Sequence, residues 1–422
     1  MGMSLCDFLT FLDSSPSSFH AAANVTDHLH QKGFDRQRLD QAFSAAPGGH
    51  VLVSGGAVIA WWIPDAAKPP KALRLVGAHT DSPGFVVKPR PEFLREHFRQ
   101  LAVEVYGGPI ISSWFDRDLA LAGRLVTADG ATHLVHTGPI ARIPHLAIHL
   151  YRSDDFSADR QRHLQPIIGL ETGPDFVDAL AQAAGVERAQ CLPPAAFDLI
   201  TVDAQPASRI GTQQELVASG RLDNLTSVWA GLDALGAAVD AGMGGEDVRV
   251  FAAFDHEEVG SQSPTGAGGP LLASVLTRIT RALGADEEER AAILARSLNV
   301  SADAAHSVHP NYPDKHDPTH HPVLGGGPVT KINANQRYAS TAQTVSRWRR
   351  HLLSAGVGGQ DFVSNNAVPC GSTIGPITAT GTGIPTVDVG VPLLSMHSAR
   401  ELCAWGDVAG LSRALTDFWC SE

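Results

Sequence analysis

The chain has 422 residues, a formal net charge of −12 and 19 histidines. Its length predicts two domains, at about 100–200 residues each, and its acidity disfavours a nucleic-acid partner, which wants a basic surface. No apolar run approaches the roughly 20 residues of a membrane helix, no basic stretch followed by an apolar core marks a secretory signal near Met1, and five scattered cysteines without a C-x-x-C predict reduced thiols in the cytoplasm, not a disulfide framework or a thiolate zinc site.

From Phe19 onward the residues fall at helical spacing, with Ser17 or Ser18 as the cap. HVLVSGGAVIAWWIP reads as two strands around a Gly-Gly turn. ALRLVGAHTDSPG reads as a buried strand, Leu73 to Ala78, entering a polar turn. Up to about Arg90 this is the beginning of an α/β domain. Between about 91 and 209 the texture changes. Short alternating runs (LAVEVYG, LAGRLVTADGATHLVH, HLAIHL), punctuated by Gly and Pro, predict an inserted β-rich domain. The α/β style resumes from about Leu216, so residues 1–90 and 210–422 are expected to form one discontinuous domain. There NLTSVWAGLDALGAAVDAG reads as an amphipathic helix ended by Gly, and VRVFAAFD as a buried strand. PLLASVLTRITRALG and DEEERAAILARS read as helices, the second with acids in its first turn where the helix dipole favours them. IPTVDVGVP is a further strand and GLSRALTDFWC a closing helix.

Polar clusters follow several of these strands: GAHTDSPG, FDHEEVGS, SADAAHSVHPNY and SMHSARE, with ASGRLDNLTS opening a helix near Asn224. Ligands of open α/β sheets bind at the carboxyl ends of the strands, so these clusters are expected to converge. Each alone has a plain structural explanation. Glu257–Glu258 fits a solvated turn, His79 and Asp81 an ordinary turn, Asp223 a helix N-cap, and Asp303 or His397 a packed or exposed residue. The adjacent glutamates are the sharpest feature, because two neighbouring carboxylates at a half-buried strand end repel and raise each other's pKa unless something compensates.

The residues exclude several chemistries. HEEVG fails the H-E-x-x-H zinc signature at Gly260 and follows a strand, not a helix. There is no G-x-S-x-G elbow and no G-x-x-x-x-G-K-[ST] loop, and Cys370 has no histidine partner near it in sequence. A two-metal hydrolase remains. It needs a carboxylate to bridge the metals, further carboxylates and imidazoles to close each one, and an additional carboxylate to handle a proton. His79, Asp223, Glu258, Asp303 and His397 supply the first set and Glu257 the last. An all-N/O ligand set suits Zn, Mn or Co. In an extended strand end the adjacent side chains would diverge, so that Glu258 holds a metal while Glu257 faces the water.

These residues resemble the M18 family of metallo-aminopeptidases, the aspartyl aminopeptidase group. The matching stretches include FLDSSPSSFHAA, GAHTDSPGF, RIPHLAIHL, SGRLDNLTS, FDHEEVGSQS, SADAAHSVHPNY, KINANQRYAS, CGSTIGP and TVDVGVPLLSMHSARE, from near residue 10 to near 401. The resemblance implies an α/β fold: a mixed-sheet, three-layer catalytic domain of the co-catalytic metallo-aminopeptidase type, with the 91–209 insert as a dimerisation domain and dimers assembling into a tetrahedral dodecamer. It implies two divalent metal ions, zinc or alternatively manganese or cobalt. His79 and Asp303 would complete one site, Glu258 and His397 the other, with Asp223 bridging. Glu257 would be the general base and Asp81 the group orienting His79. His149 matches a family histidine that reaches a partner's active site, and Lys331 a family lysine near the substrate pocket. The implied reaction is removal of an N-terminal residue, acidic by preference, from peptide substrates. Asn365, Asn366 and Ala367 depart from the family's Arg-Asn-Asp near the substrate loop, and this departure bears on that acidic preference. The alternatives are a di-metal deacylase acting on N-acyl amino acids and, from another class, a non-catalytic metal-binding assembly protein.

Overall fold

The computed structural model describes residues 2–65, 69–152 and 155–421. A nine-stranded mixed sheet organises most of the chain. Its order is Asp35–Arg36, Gly48–Ser54, Ala57–Ile63, Val248–Phe254, Leu73–His79, Leu298–Ala302, Thr386–Gly390, Val329–Ile332 and Gln360–Val363. The four strands Val248–Phe254, Leu73–His79, Leu298–Ala302 and Thr386–Gly390 run parallel to their neighbours in that set. Central parallel strands are covered on both faces, which is why their sequences read as continuous apolar runs. Leu73 and Leu75 face Leu272, Val275 and Ile279 in one buried cluster. Val76 and Ala78 face Leu232, Leu235 and Leu411 in the other. Each such side chain contributes about 1.5–3 kcal/mol on burial, and together they hold helices on both faces of the sheet.

Local signals do what the sequence predicts in several places. Ser17 caps Ser18–Gln31 and accepts from the His20 N–H. Gly55 and Gly56 turn the first hairpin, and a Cβ on Gly56 would sit 2.4 Å from Ser18 Oγ and Asp255 Oδ2. Asp286 and Glu289 form a reciprocal capping box on Glu287–Arg296. The helix Leu222–Asp240 differs from its expected amphipathic form. Apart from its last residues it is buried on all sides, between the sheet and the helices Leu5–Ser14 and Trp405–Cys420. Phe8, Trp229 and Trp405 join the three helices, with ring centroids 5.2–5.6 Å apart.

A second, six-stranded antiparallel sheet has the order Thr132–His136, Leu119–Val126, Ala196–Asp203, Gly84–Arg95, Phe98–Tyr106 and Ile167–Leu170. It opens at Gly84, ahead of the texture change near 91. Phe85, Leu101, Leu121 and Leu199 pack one face against the helix Phe176–Ala184. The alternation in HLAIHL does not form a strand. Residues 144–152 are loop and turn, with Leu146, Ile148 and Leu150 61%, 63% and 74% exposed. An alternating pattern needs a partner strand, and none pairs with it among the described residues. A small third sheet carries Leu216–Ser219 and Glu401–Ala404 beneath the ends of the large one.

Candidate metal centre

The parallel register brings the strand ends level. Phe254 pairs with His79, Ser301 with Gly77, and Ala302 with Val389. His79 ends its strand, Asp303 follows Ala302 directly, and the two glutamates come three and four residues after Phe254. Asp223 is delivered from the other side, at the irregular start of the buried helix. Its residue has non-helical backbone, the Asp223–Asn224 peptide is cis, and Arg221 is the N-cap without a side-chain cap bond. Among the described residues no main-chain N–H donates to the Asp223 carboxylate, so it does not act as a helix cap. Its N–H donates to Glu401 Oε2 at 3.0 Å, its carbonyl accepts from Ser82 Oγ at 2.7 Å, and Asn224 Nδ2 holds the Ala302 carbonyl at 2.9 Å.

The Asp223 carboxylate divides between two histidines. His79 Nε2 lies 3.3 Å from Oδ1, and His397 Nε2 lies 3.4 Å from Oδ2. Asp303 Oδ1 is 3.7 Å from His79 Nε2, and Glu258 Oε2 is 3.3 Å from His397 Nε2. One ligand atom from each of His79, Asp223 and Glu258 falls within a 4.8 Å cluster. About 3.3 Å separates corners of a tetrahedron whose bonds are about 2.0–2.1 Å, the usual zinc distances to N and O. Asp223 Oδ1 and Glu258 Oε1 are buried with no hydrogen-bond partner. Buried acceptors without donors are costly, and cations facing them would remove that cost. The five residues thus fit divalent metals by spacing, by donor type and by their unmet acceptors.

The electrostatics agree. Burial opposes charge on His79, but Asp223, Asp303 and Asp81 hold its pKa well above the ordinary imidazole value. Burial also opposes charge on His397, and Asp223 with Glu258 overrides it, raising the pKa to about 10. Burial, reinforced by Asp223, pushes Glu258 upward. Glu257 is pushed up to about 7, chiefly by burial, with His79 opposing and Asp303, Asp223 and Asp81 adding to the rise. A cluster that loads its own groups with protons carries excess negative charge, which divalent cations neutralise.

Glu257 and Glu258 are not at an extended strand end. They lie in a 3-10 turn, Glu257–Val259, entered through His256 at φ +63° and left through Gly260 at φ +96°. The turn is held from below by Asp81. Its Oδ1 accepts the Glu257 N–H at 3.0 Å and its Oδ2 the Glu258 N–H at 3.1 Å. His79 Nδ1 is 3.1 Å from the Asp81 carbonyl and 3.5 Å from its carboxylate, so the main-chain oxygen is the nearer partner of that ring. His256 turns to Ser263 Oγ at 2.9 Å.

Lys331 is not a surface lysine. It is 1% exposed, donates to the Ala304 carbonyl at 3.1 Å and lies 5.1 Å from the Tyr338 ring centroid. His149 is exposed in the turn after Pro144 and is not among the groups gathered around Asp223. Asn365 Nδ2 donates to the carbonyls of Asp314 and His316 and so pins the 309–316 loop. Sequence reasoning passed over Glu401, although it stands in SMHSARE. Its buried carboxylate takes the N–H of Asp223 at 3.0 Å and of His397 at 2.7 Å, and burial, then Asp223, raises its pKa to about 8. A cavity of about 590 Å³ lies behind Asp81, against Tyr106, Arg124 and Arg221, and holds none of the five ligand candidates. Convergence of polar groups, not volume, marks the site.

The chain matches a family described as aminopeptidase I zinc metalloprotease (M18) over residues 11–419. It is 48% identical over 419 residues to a probable M18 family aminopeptidase 2 of Streptomyces avermitilis, covering 98% of this chain and 96% of the relative. A solved structure described as the complex of Ape4 and Nbr1 superposes with a TM-score of 0.93 at 35% identity, over 98% of this chain and 85% of that one. An M18 family aminopeptidase from Thermotoga maritima superposes with a TM-score of 0.86 at 25% identity, over 98% and 95%. Likeness that runs the length of the chain, together with a fold that ends its parallel strands in histidines and carboxylates, leads to one conclusion: the chain belongs to the M18 family and is an aminopeptidase of the zinc metalloprotease type.

Proposed function

We propose that the chain hydrolyses N-terminal residues from peptides with two divalent cations, zinc or alternatively manganese or cobalt, held by His79, Asp303, Asp223, Glu258 and His397. The observation that carries this reading is the split of one carboxylate: Asp223 turns Oδ1 to His79 and Oδ2 to His397. Bound divalent metals supply Lewis acidity to the scissile carbonyl and lower the pKa of water toward neutrality. The chain's own groups do the rest. Glu257, on the turn that also carries Glu258, accepts the water proton and returns it to the leaving amine. Asp81 fixes the peptide that carries Glu257, so that the base cannot drift from its proton. A free substrate amine, as a cation beside buried carboxylates, confines cleavage to chain ends.

The preference for an acidic N-terminal residue belongs to this proposal. The buried Lys331 ammonium, which donates to the Ala304 carbonyl one residue beyond Asp303, supports it, and the Asn365 loop is the element that would alter it. So does assembly of 1–90 with 210–422 as the catalytic body and of 91–209 as the module that makes dimers and then dodecamers. The exposed apolar side chains of Leu146, Ile148 and Leu150 around His149 support a surface covered by a second copy. Five unpaired cysteines fit the reducing cytoplasm.

The test is Glu257→Gln. Zinc content should stay at two ions per chain while kcat on Asp- and Glu-anilides falls by about 100- to 10,000-fold. Near-normal turnover would remove Glu257 from its role, and one ion per wild-type chain would remove the bridging of Asp223. A Leu-anilide turned over faster than the acidic ones would remove the acidic preference alone.

A further inference from the structure

We infer that the six-stranded sheet supplies positioning groups to the metal centre of its own chain: the Tyr106 hydroxyl, acting through Asp81, and the Gly108 carbonyl, acting on His397. The strand Phe98–Tyr106 runs out of that sheet directly toward the cluster. Tyr106 Oη donates to Asp81 Oδ2 at 2.8 Å. Asp81 is 4% exposed, and the same carboxylate holds the Glu257 and Glu258 N–H groups. Its two oxygens therefore tie together the antiparallel sheet and the turn bearing both glutamates. Two residues on, the Gly108 carbonyl lies 3.1 Å from His397 Nδ1. A carbonyl only accepts, so Nδ1 keeps a proton, and the neutral ring that a metal requires would present its Nε2 lone pair on the side of Asp223 and Glu258. The same segment then fixes the main chain around the histidine. The Ile110 N–H donates to the His397 carbonyl at 2.9 Å, and Ser113 Oγ accepts the Ala399 N–H at 2.9 Å.

The sequence between these groups is shaped for close approach. Gly107 has φ +68°, and a Cβ there would lie 3.1 Å from Glu258 Cβ. A Cβ on Gly108 would already lie 3.5 Å from His397 Nδ1. A side chain at 107 would push against the turn that the carboxylate of Asp81 holds. An outer hydrogen bond to a ligating group typically changes metal affinity or activity by about 10- to 100-fold when removed. The inference rests on reading the cluster as a zinc site.

The experiment measures zinc binding to the metal-free full-length chain by competition with a chromophoric chelator, alongside kcat, KM and thermal unfolding. Tyr106→Phe keeps the ring and removes the hydroxyl. It should weaken zinc binding and lower kcat by about 10- to 100-fold, with KM within about twofold and the unfolding temperature of the metal-free chain close to wild type. Thr201→Val is the control. Thr201 Oγ1 accepts the Phe85 N–H within the same sheet and makes no hydrogen bond to Asp81 or Tyr106, so the variant should lower the unfolding temperature and leave zinc affinity unchanged. Gly107→Ala should weaken zinc binding by the separate route of crowding Glu258. Wild-type zinc affinity in Tyr106→Phe would overturn the inference. So would zinc affinity that falls in both Tyr106→Phe and Thr201→Val in step with their unfolding temperatures. A wild-type chain that takes up no zinc would overturn the metal-site reading as well.

Discussion

The two large sheets reach the same cluster by different means. The nine-stranded sheet delivers side chains from the ends of parallel strands, so its contributions sit at fixed places after apolar runs. The six-stranded antiparallel sheet delivers one hydroxyl and one main-chain carbonyl from a single strand exit. The first sheet supplies His79, Asp303 and the turn that carries Glu258, three of the groups suited to holding metal. The second supplies direction to the cluster. The sheet proposed to serve assembly is also joined by hydrogen bonds to the centre of its own chain.

The comparison is most severely tested at Asp223. Asp223→Ala removes the oxygen that each histidine faces, so both metals should be lost. Turnover should fall by roughly a thousandfold or more, since metal charge stabilisation is worth several kcal/mol, and zinc content measured by mass spectrometry should drop below one ion per chain. Retention of one tight ion would show that the two halves of the cluster are independent. Glu401→Gln comes next. It keeps one acceptor oxygen and replaces the other with an amide nitrogen, so either the Asp223 or the His397 N–H loses its acceptor. Zinc affinity should weaken by about 10- to 100-fold, comparable to Tyr106→Phe, because both act one layer out.

The smallest effect concerns the seam between the sheets. His20, on Ser18–Gln31, lies with its ring 6.5 Å from that of His136 in the antiparallel sheet. Burial, then His136 and Arg221, lowers the pKa of His20 to about 4, and burial with Arg221 lowers that of His136. A depressed folded-state value means that the unfolded chain binds the proton more readily. Stability is therefore full above the unfolded value near 6.5 and is lost as pH falls from there toward about 4. His20 is partly exposed, so solvent screening reduces its share to about 1–2 kcal/mol. His20→Gln should flatten the acid limb of unfolding temperature against pH between 6.5 and 4. An unchanged limb would mean that the seam opens without titrating its histidines.

What was legible in the sequence follows the same division. His79, Asp303 and Glu258 could be located because parallel strands bury both faces and expose polar residues only at their ends, and His397 because it stands in a polar cluster after an apolar run. Asp223 could be located because a carboxylate preceded a helical run. The Asp81 hub, Tyr106 and Glu401 are different. Asp81 and Glu401 accept main-chain N–H groups from more than a hundred residues away, and Tyr106 donates to a side chain outside its own strand; a one-dimensional pattern carries no mark of such partners. The turn geometry of Glu257 and Glu258 was hidden for a related reason, since His256 and Gly260 take left-handed backbone only in the folded context. HLAIHL misled because alternation measures a half-buried face, and here that face pairs with no strand among the described residues.

The helix Leu222–Asp240 limits how the enzyme can be altered. It opens around Asp223, whose two carboxylate oxygens face two histidines, and then passes through the core with almost no solvent face. A Cβ on Gly231 would meet Phe251 Cε2 at 2.5 Å, so even the smallest added group must displace a ring from the parallel sheet. Heat resistance and turnover therefore share one structural lever here. Any repacking meant to stiffen the core moves Asp223 with it. Substitutions intended to stabilise the protein without touching its chemistry belong elsewhere, on the solvent side of helices such as Glu287–Arg296, whose exposed positions touch neither sheet end.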